Sequence, residues 1–260
     1  MDLELAGKRC VVTGGSRGIG RAVAERLAGE GATVLLVARD GERLAASAAE
    51  LGASSFAVDL TEPDAGDRVS AAAQELLGGV DVLVNAAGTT TVVALEDLTD
   101  SEWQAQLDIH VMATMRLMRA LVPSMAERGW GRVVNVSSSS GKRPSTSNVA
   151  YAVAKSAQLA LSRAYADAYA SRGVAINAVA PGPVASEMWL EDGGLADQIA
   201  SRTGESRDKV LAGAAAKIPR GELATAGEIA DAIVFLCSER AANVAGAAWS
   251  VDGGSVQTIV

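Results

Sequence analysis

Short apolar runs alternate with longer helix-like segments along the whole chain, and this alternation restricts the fold more than any other feature. The apolar runs are continuous rather than alternating in polarity, which is typical of parallel strands covered on both faces. Repeated strand–helix–strand units predict an α/β protein built on one doubly wound parallel sheet of about seven strands. The predicted strands are KRCVVT (8–13), TVLLVA (33–38), SFAV (55–58), DVLVN (81–85), RVVNVS (132–137), VAINAVA (174–180) and AAWSV (247–251).

We expect a single domain over residues 1–260, because no change in composition marks a boundary and no repeat is found. One segment departs from the pattern. Residues 186–221, between the sixth and seventh strands, form an unusually long connection. Their apolar side chains need burial, so short helices are favoured over disorder, and we interpret the segment as a lid beside the functional site. These side chains belong to Met188, Trp189, Leu190, Leu195, Ile199 and Leu211.

The charge of the chain excludes one class of partner. A net charge of −8 and an isoelectric point near 4.8 have the wrong sign for a nucleic-acid-binding protein. No uninterrupted apolar stretch is long enough to span a bilayer, and MDLELAGK (1–8) carries two acids where a signal peptide needs an apolar run. We therefore expect a cytoplasmic protein with neither a nucleic-acid nor a membrane partner.

Metal and disulfide chemistry are not expected either. Cys10 and Cys237 lie far apart in the sequence and form no metal-binding or redox spacing, so we interpret both as reduced core thiols. His110 is the only histidine, and no cluster of carboxylates replaces the missing ligands. The sequence predicts no metal site.

A glycine-rich stretch, TGGSRGIG (13–20), follows the first predicted strand and opens a helix. Glycines let the backbone turn tightly and approach a pyrophosphate, whose charge is attracted by the free N–H groups and the dipole of the helix. The alternative is a tight turn that binds nothing. The context of strand, turn and helix favours a dinucleotide.

The spacing T-G-x-x-x-G-I-G resembles the glycine motif of the short-chain dehydrogenase/reductase family. The similarity continues in the family's order over essentially the whole chain. It implies a Rossmann-type fold and NAD(P)-dependent oxidoreductase activity. The further motifs are NAAG (85–88), Ser138 followed by Tyr151-x-x-x-Lys155, PGPVAS (181–186) and VDGG (251–254).

The resemblance also implies which positions hold the cofactor. Asp59 resembles the family residue that contacts the adenine ring, and Ser186 stands in the place of a family threonine. The complete set is Gly14, Ser16, Arg17, Gly18, Ile19, Gly20, Ala38, Arg39, Asp59, Leu60, Asn85, Ala86, Gly88, Tyr151, Lys155, Pro181, Gly182, Val184 and Ser186.

The choice between NADP(H) and NAD(H) depends on charge at the end of the second strand. A carboxylate there would bind the ribose hydroxyls and repel a 2′-phosphate, but the position is Ala38, followed by Arg39. With Arg17, two guanidinium groups are available to clamp the phosphate. Asp40 lies close to the spacing of a ribose-binding acid, but it also suits the cap of the next helix. We favour NADP(H), with NAD(H) as the alternative.

The serine-rich stretch 137–155 resembles a linker in composition but carries the catalytic motif. Tyr151 and Lys155 lie four residues apart on one predicted helix face, and Ser138 follows the fifth strand. Alone, the pair suits an ordinary surface helix. The resemblance implies that Tyr151 exchanges a proton with the substrate oxygen, Ser138 hydrogen-bonds that oxygen, and Lys155 holds the ribose. A nearby ammonium and the oxidised nicotinamide are expected to lower the pKa of Tyr151 from its usual value of about 10.

His110 departs from the family, which has asparagine at this catalytic position. In the family, the backbone carbonyl of that residue anchors a water that joins the lysine to bulk solvent. Histidine has the same backbone carbonyl, so this proton relay through the water can persist. The imidazole side chain can also take part in the relay. A tolerated substitution without a proton role is preferred, and a slowed or inactive enzyme is the third interpretation.

The substrate is predicted from the lid. Met188 and Trp189 offer an apolar roof, which suits an acyl chain or a ring. Arg172 and Arg128 are similar in place to arginines that dock the acidic carrier in 3-oxoacyl-acyl-carrier-protein reductases, although Arg128 is offset by one residue. A 3-oxoacyl thioester, small or carrier-bound, is therefore the first candidate. A hydrophobic secondary alcohol, steroid or polyol is the second, and a non-catalytic dinucleotide-binding scaffold is the third.

The resemblance finally implies a homotetramer. One interface of such assemblies pairs the long helices, here residues 101–128 and 150–172. The other uses the last strand and helix, and the apolar tail VQTIV (256–260) suits burial there.

Overall fold

A parallel sheet of seven strands forms the centre of the protein in the computed structural model, which describes residues 1–257. The strands are β1 (Arg9–Thr13), β2 (Thr33–Ala38), β3 (Ser54–Ala57), β4 (Val82–Asn85), β5 (Gly131–Val136), β6 (Val174–Pro181) and β7 (Ala248–Val251). Their spatial order is β3-β2-β1-β4-β5-β6-β7, and every neighbouring pair is parallel. The order reverses between β1 and β4, where ligands bind in such sheets. The predicted single-domain α/β fold is confirmed.

Helices cover both faces of this sheet. They are α1 (Gly18–Gly29), α2 (Gly41–Leu51), α3 (Ala65–Leu77), α4 (Asp100–Leu107), α5 (Ala113–Glu127), α6 (Ser139–Lys142), α7 (Val149–Tyr169), α8 (Glu187–Leu190), α9 (Leu195–Thr203), α10 (Arg207–Ala216) and α11 (Ala226–Cys237). Short 3₁₀ turns at Leu95–Asp97, Ala170–Arg172 and Glu239–Ala241 complete the regular structure of the described residues.

Two apolar cores lie on opposite faces of the sheet, because successive side chains of a strand point to opposite sides. Val12 of β1 packs in the core formed with α1 and α11, whereas Val11 packs in the core formed with α3 and α5. Cys10 and Cys237 are both free and buried, as predicted. The continuous apolar runs of the inner strands are therefore covered on both sides.

The structure differs from the sequence prediction at three elements. The segment 101–128, expected as one long helix, is divided by a π-helical turn at Asp108–Met112, in which the Ala113 N–H donates to the Asp108 carbonyl. Strand β3 alternates in burial and strand β7 is only partly buried, because these two strands lie at the edges of the sheet. Turns of the π type are frequent at functional sites.

The long connection after β6 is helical, as predicted, and contains α8, α9 and α10. Of the predicted interface tail, residues 258–260 lie outside the described residues. Within residues 1–257, no helix combines the length and the apolar character that crossing a membrane requires.

Candidate active site

A cavity of about 790 Å³ opens at the carboxyl edge of the sheet, between the loops that follow the strands and the lid segment. It brings together nearly all residues predicted to bind cofactor or substrate. These lining residues are Gly14, Ser16, Arg17, Gly18, Ile19, Gly20, Ala38, Arg39, Asp59, Leu60, Ala86, Gly88, His110, Ser138, Tyr151, Lys155, Pro181, Gly182, Val184, Ser186, Met188 and Trp189.

Asn85 is the exception among the predicted cofactor residues. It is buried beneath the cavity rather than exposed to it, and its Nδ2 donates to Asn135 Oδ1 at 2.8 Å. The side chain thus joins β4 to β5. Asn85 belongs to the end of the strand itself, whereas Ala86 and Gly88 follow it, and its contact with the cofactor stays a prediction.

The glycine loop is shaped by close packing of backbone on backbone. A Cβ on Gly20 would overlap the carbonyl oxygen of Gly14, so no other residue fits there without moving the loop. Ser47 Oγ of α2 donates to the Ser16 carbonyl at 3.1 Å and fixes the outer side of the loop. The first turn of α1 has neither a side-chain cap nor an acidic residue. Its N–H groups therefore suit a pyrophosphate.

Three guanidinium groups, from Arg17, Arg39 and Arg43, line the end of the cavity beside β2. Asp40 lies among them, but its Oδ1 accepts the backbone N–H of Arg43 at 3.1 Å and caps α2. The helix-capping role of Asp40 is thus observed. The cavity, the uncapped helix and the arginines together fit a dinucleotide that carries a 2′-phosphate.

Glu191 of the lid segment makes ion pairs with two of these arginines. It pairs with Arg17, and its Oε1 lies 3.4 Å from Nη2 of Arg43. The third arginine, Arg39, lies 3.7 Å from a carboxylate oxygen of Asp59. Lid and glycine loop are therefore joined at the place predicted for the phosphate.

The serine-rich stretch is an ordered part of the site and not a linker. It contains the short helix α6, whose first residue follows Ser138, and Ser138 Oγ accepts the Ser140 N–H at 3.1 Å. Ser137 Oγ donates to the Lys155 carbonyl at 3.0 Å, and Lys142 Nζ donates to the Ala248 carbonyl of β7 at 2.6 Å. These contacts hold Ser138 beside the cavity.

Tyr151 and Lys155 share one face of α7, as their spacing predicts. Lys155 Nζ lies 5.7 Å from the centroid of the Tyr151 ring and donates to the Val136 carbonyl at 2.6 Å. A second N–H of the same ammonium reaches Gln158 Oε1 at 3.1 Å. Both Lys155 and Gln158 are buried.

His110 lies in the π-helical turn and is fully buried. Its Nε2 is 2.8 Å from the Thr89 carbonyl, so this nitrogen carries the proton. Its Nδ1 has no hydrogen-bond partner among the described residues. The ring lies against Gly88, where an added Cβ would come within 2.6 Å of His110 Cε1. Neither nitrogen forms a hydrogen bond with Tyr151 or Lys155.

The family described as short chain dehydrogenase matches residues 8–197, which include the glycine loop, Ser138, Tyr151 and Lys155. The chain belongs to the short-chain dehydrogenase family. As a member, it is an NAD(P)-dependent oxidoreductase that acts on carbonyl or hydroxyl groups.

Relatives cover almost the whole length of this short-chain dehydrogenase. The 3-oxoacyl-[acyl-carrier-protein] reductase FabG of Escherichia coli is 34% identical over 97% of this chain and 98% of its own. The short-chain reductase protein NovJ of Streptomyces niveus is 36% identical, over 94% and 92%. L-sorbose reductase from Gluconobacter frateurii, solved with NADPH and L-sorbose, is 35% identical, covers both chains completely and superimposes with a TM-score of 0.92.

Burial sets the protonation of the catalytic motif in this short-chain dehydrogenase. It raises the pKa of Tyr151, and the Ser138 hydroxyl opposes that rise. It also lowers the pKa of Lys155 to about 7. In the chain alone, loss of hydration outweighs the neighbouring groups. The expected lowering of the Tyr151 pKa, which also needs the oxidised nicotinamide, stays a prediction for the complex.

The protonation of His110 is governed by the same effect. Burial, followed by the charge of Lys155, holds its pKa well below the usual value, against a smaller opposing effect of the Thr89 carbonyl. The imidazole is thus neutral, and its single N–H donates a hydrogen bond to the Thr89 carbonyl, which does not take up the proton. The geometry agrees with the preferred interpretation of a substitution without a proton role.

Sequence reasoning missed four residues of the site: Arg43, Glu191, Gln158 and Thr114. Arg43 follows Asp40 by three residues, and Gln158 follows Lys155 by three, so helical spacing could have placed both on the functional face. Glu191 and Thr114 come from other elements, and no local signal indicates their contacts.

Proposed function

We propose that this chain is an NADP(H)-dependent carbonyl reductase that also runs the reverse alcohol oxidation. One observation carries the proposal: a cavity of about 790 Å³ joins the glycine loop to Ser138, Tyr151 and Lys155. A dinucleotide with its phosphates at the start of α1 would have Tyr151 within the same cavity. The family supplies the reaction class, and the cavity supplies a place for it.

The nicotinamide, when bound, supplies a hydride to the carbonyl carbon or accepts one from the alcohol. Tyr151 is placed to give the substrate oxygen its proton in reduction and to remove it in oxidation. The Ser138 hydroxyl, at the cavity wall, donates a hydrogen bond to the same oxygen. Lys155 binds the ribose and, as an ammonium, favours the phenolate of Tyr151. The lid, residues 186–221, excludes water from this reaction.

Charge supports NADP(H) over NAD(H). Three arginines surround the end of the cavity beside β2, while the carboxylate of Asp40 accepts a backbone N–H at the start of α2. Guanidinium groups bind phosphate oxygens well, and a ribose-binding carboxylate at Ala38 is absent. L-sorbose reductase, whose fold is similar, was solved with NADPH. NAD(H) remains the alternative cofactor.

For the substrate, a 3-oxoacyl thioester is the first candidate. The FabG relatives act on 3-oxoacyl-carrier substrates, and Met188 and Trp189 place apolar surface on the lid side of the cavity. Carrier docking through arginine is less well supported. Arg128 donates to the Val80 carbonyl and pairs with Asp81, while Arg172 stacks on Tyr169.

A ketose or polyol is the second candidate. The observation in its favour is the likeness to L-sorbose reductase, at 35% identity over both complete chains. A putative gluconate 5-dehydrogenase from Beutenbergia cavernae is also similar, at 32% identity with a TM-score of 0.87, and its name refers to a polyhydroxylated substrate. Both candidates use the same Ser138, Tyr151 and Lys155, so the lid decides between them.

The test is turnover of acetoacetyl-coenzyme A, L-sorbose and a hydrophobic ketone with NADPH and NADH, in the parent protein and in Tyr151→Phe. We expect turnover of at least one carbonyl with NADPH, lost in Tyr151→Phe while NADPH binding is retained. Tight NADPH binding without any turnover would favour the dinucleotide-binding scaffold. Turnover that persists in Tyr151→Phe would contradict the role of Tyr151 as the acid and base of the reaction.

We also propose a homotetrameric, cytoplasmic protein. Exposed apolar Val153 on α7 and the stacked rings of Tyr165 and Tyr169 support an interface on that helix. Free buried cysteines are compatible with a reducing compartment. Light scattering of the purified protein tests the assembly, and a monomeric mass would contradict it.

A further inference from the structure

The ammonium of Lys155 is buried, with 4% of the residue exposed, and such a group needs acceptors for its N–H bonds. Within residues 1–257 it forms no salt bridge. The Val136 carbonyl accepts one N–H at 2.6 Å, and Gln158 Oε1 accepts a second at 3.1 Å. Gln158 is thus the side chain that holds Lys155.

The orientation of the Gln158 amide is fixed by its neighbours. The hydroxyl of Thr114 has a single proton, which it donates to the His110 carbonyl at 2.9 Å. Thr114 Oγ1 therefore accepts from Gln158 Nε2, 2.9 Å away. With Nε2 committed to Thr114, Oε1 must face Lys155.

These residues connect two functional elements through the interior. Gln158 lies one turn after Lys155 on α7, with 1% of it exposed, and Thr114, 3% exposed, lies at the start of α5. Thr114 is anchored on the π-helical turn that carries His110 beside Tyr151. The chain of hydrogen bonds runs in one direction, from Lys155 to the His110 carbonyl. The carbonyl expected to anchor a water thus has a protein donor already.

We propose that Gln158 is a positioning residue: anchored on Thr114, its side-chain amide holds Lys155 as an oriented ammonium beside Tyr151. This inference rests on the proposed function, in which Lys155 binds the ribose and favours the phenolate of Tyr151. A neutral amide suits the task because it accepts an N–H without adding a counter-charge. A carboxylate in its place would compete with the phenolate for the ammonium.

The first measurement follows Lys155 directly, by NMR titration of its side chain in cofactor-free protein labelled with ¹³C-lysine. The chain has five lysines, and Lys155→Met assigns the signal. In Gln158→Leu the ammonium loses an acceptor, so the pKa of Lys155 should fall by about one unit. In Gln158→Glu, which has nearly the same shape, the added charge should raise it. If Gln158→Leu does not fold, Gln158→Glu still tests whether residue 158 controls the pKa of Lys155.

The second measurement is the pH dependence of kcat/KM for alcohol oxidation. In the complex with the oxidised cofactor, whose positive charge lowers the pKa of Tyr151, oxidation needs the phenolate of Tyr151, and a less protonated Lys155 favours that phenolate less. In Gln158→Leu we therefore expect the rising limb to move about one pH unit upward, with about a tenfold loss at a fixed pH on that limb. Thr114→Val should shift the limb in the same direction but less, since the amide keeps its oxygen. Thr114→Val added to Gln158→Leu should cause no further shift.

Gln106→Leu is the matched control. Gln106 is also buried, on α4, and its Oε1 accepts no hydrogen bond among the described residues, so its loss should leave both titrations unchanged. A folded Gln158→Leu variant with an unchanged Lys155 titration and an unchanged limb would overturn the proposal. If the parent turns over no carbonyl but the Lys155 titration still shifts in Gln158→Leu, the proposed function is wrong, whereas the positioning of Lys155 by Gln158 is supported.

Discussion

The imidazole of His110 lies edge-on against the phenol ring of Tyr151, with centroids 5.1 Å apart and ring planes 84° apart. Contacts of this geometry are worth about 1 kcal/mol beyond burial. The other side of the imidazole is held by Gly88 and by the Thr89 carbonyl. His110 therefore supports Tyr151 through packing, from a position where the family has asparagine.

His110→Asn should separate packing from proton transfer. The smaller side chain leaves a void beside Tyr151, so the free energy of unfolding should fall by about 1–3 kcal/mol. Because neither imidazole nitrogen forms a hydrogen bond with Tyr151 or Lys155, the pH profile of kcat/KM should keep both its acidic and its basic limb. Chemical denaturation and steady-state kinetics measure the two effects. Loss of one limb of the profile would instead show that His110 takes part in proton transfer.

Gly88→Ala should damage the site through His110. The added Cβ comes within 2.6 Å of His110 Cε1, so the ring must leave its place between Gly88, Tyr151 and the Thr89 carbonyl. We expect lower kcat and a lower Tm. The same substitution in the His110→Asn background should cost less, because the obstructing ring is gone. Equal costs in both backgrounds would show that Gly88 acts through the cofactor alone.

Glu191→Gln should tighten the binding of NADPH and leave that of NADH nearly unchanged. The carboxylate pairs with Arg17 and Arg43, which we expect to bind the 2′-phosphate. Exposed ion pairs are worth at most about 1 kcal/mol, so the gain should not exceed about fivefold. Fluorescence titration at one salt concentration measures it. Asp192→Asn, which removes a lid acid that pairs with Arg207, is the control. An equal gain for NADH would contradict the phosphate clamp.

Lys155→Met should change how stability depends on pH. Burial lowers the pKa of Lys155 from 10.5 to about 7, so between these values the unfolded chain binds the extra proton. The parent's free energy of unfolding therefore rises with pH across that window, by about 1.4 kcal/mol per pH unit from this group. The variant lacks this contribution.

The stability of Lys155→Met relative to the parent should thus be greatest below pH 7 and decline towards pH 10. Urea denaturation of cofactor-free protein at pH 6, 7, 8 and 9 gives the difference. A difference that stays constant over this range would show that Lys155 keeps its ordinary pKa in the folded protein.

Local sequence signals predicted the fold because each one reports a local physical requirement. Continuous apolar runs require burial on both faces, which only inner strands of a parallel sheet provide, and Gly20 requires a backbone approach that excludes a side chain. The same logic placed Tyr151 and Lys155 on one helix face. The prediction of burial on both faces failed at β3 and β7, because the position of a strand at the edge is a property of the whole sheet.

The tertiary structure alone decided how the site is charged and held. The pKa of Lys155 and the neutrality of His110 follow from burial, which sequence patterns do not measure. The π-helical turn packs against α7, and the apolar spacing in 101–128 does not indicate it, since that spacing suits an unbroken helix. The hydrogen bonds from Lys155 through Gln158 and Thr114 to His110 join residues up to 44 positions apart. Such contacts exist only once the helices have packed, so the sequence determined the scaffold and the reaction class, whereas packing determined the protonation and orientation of the groups within it.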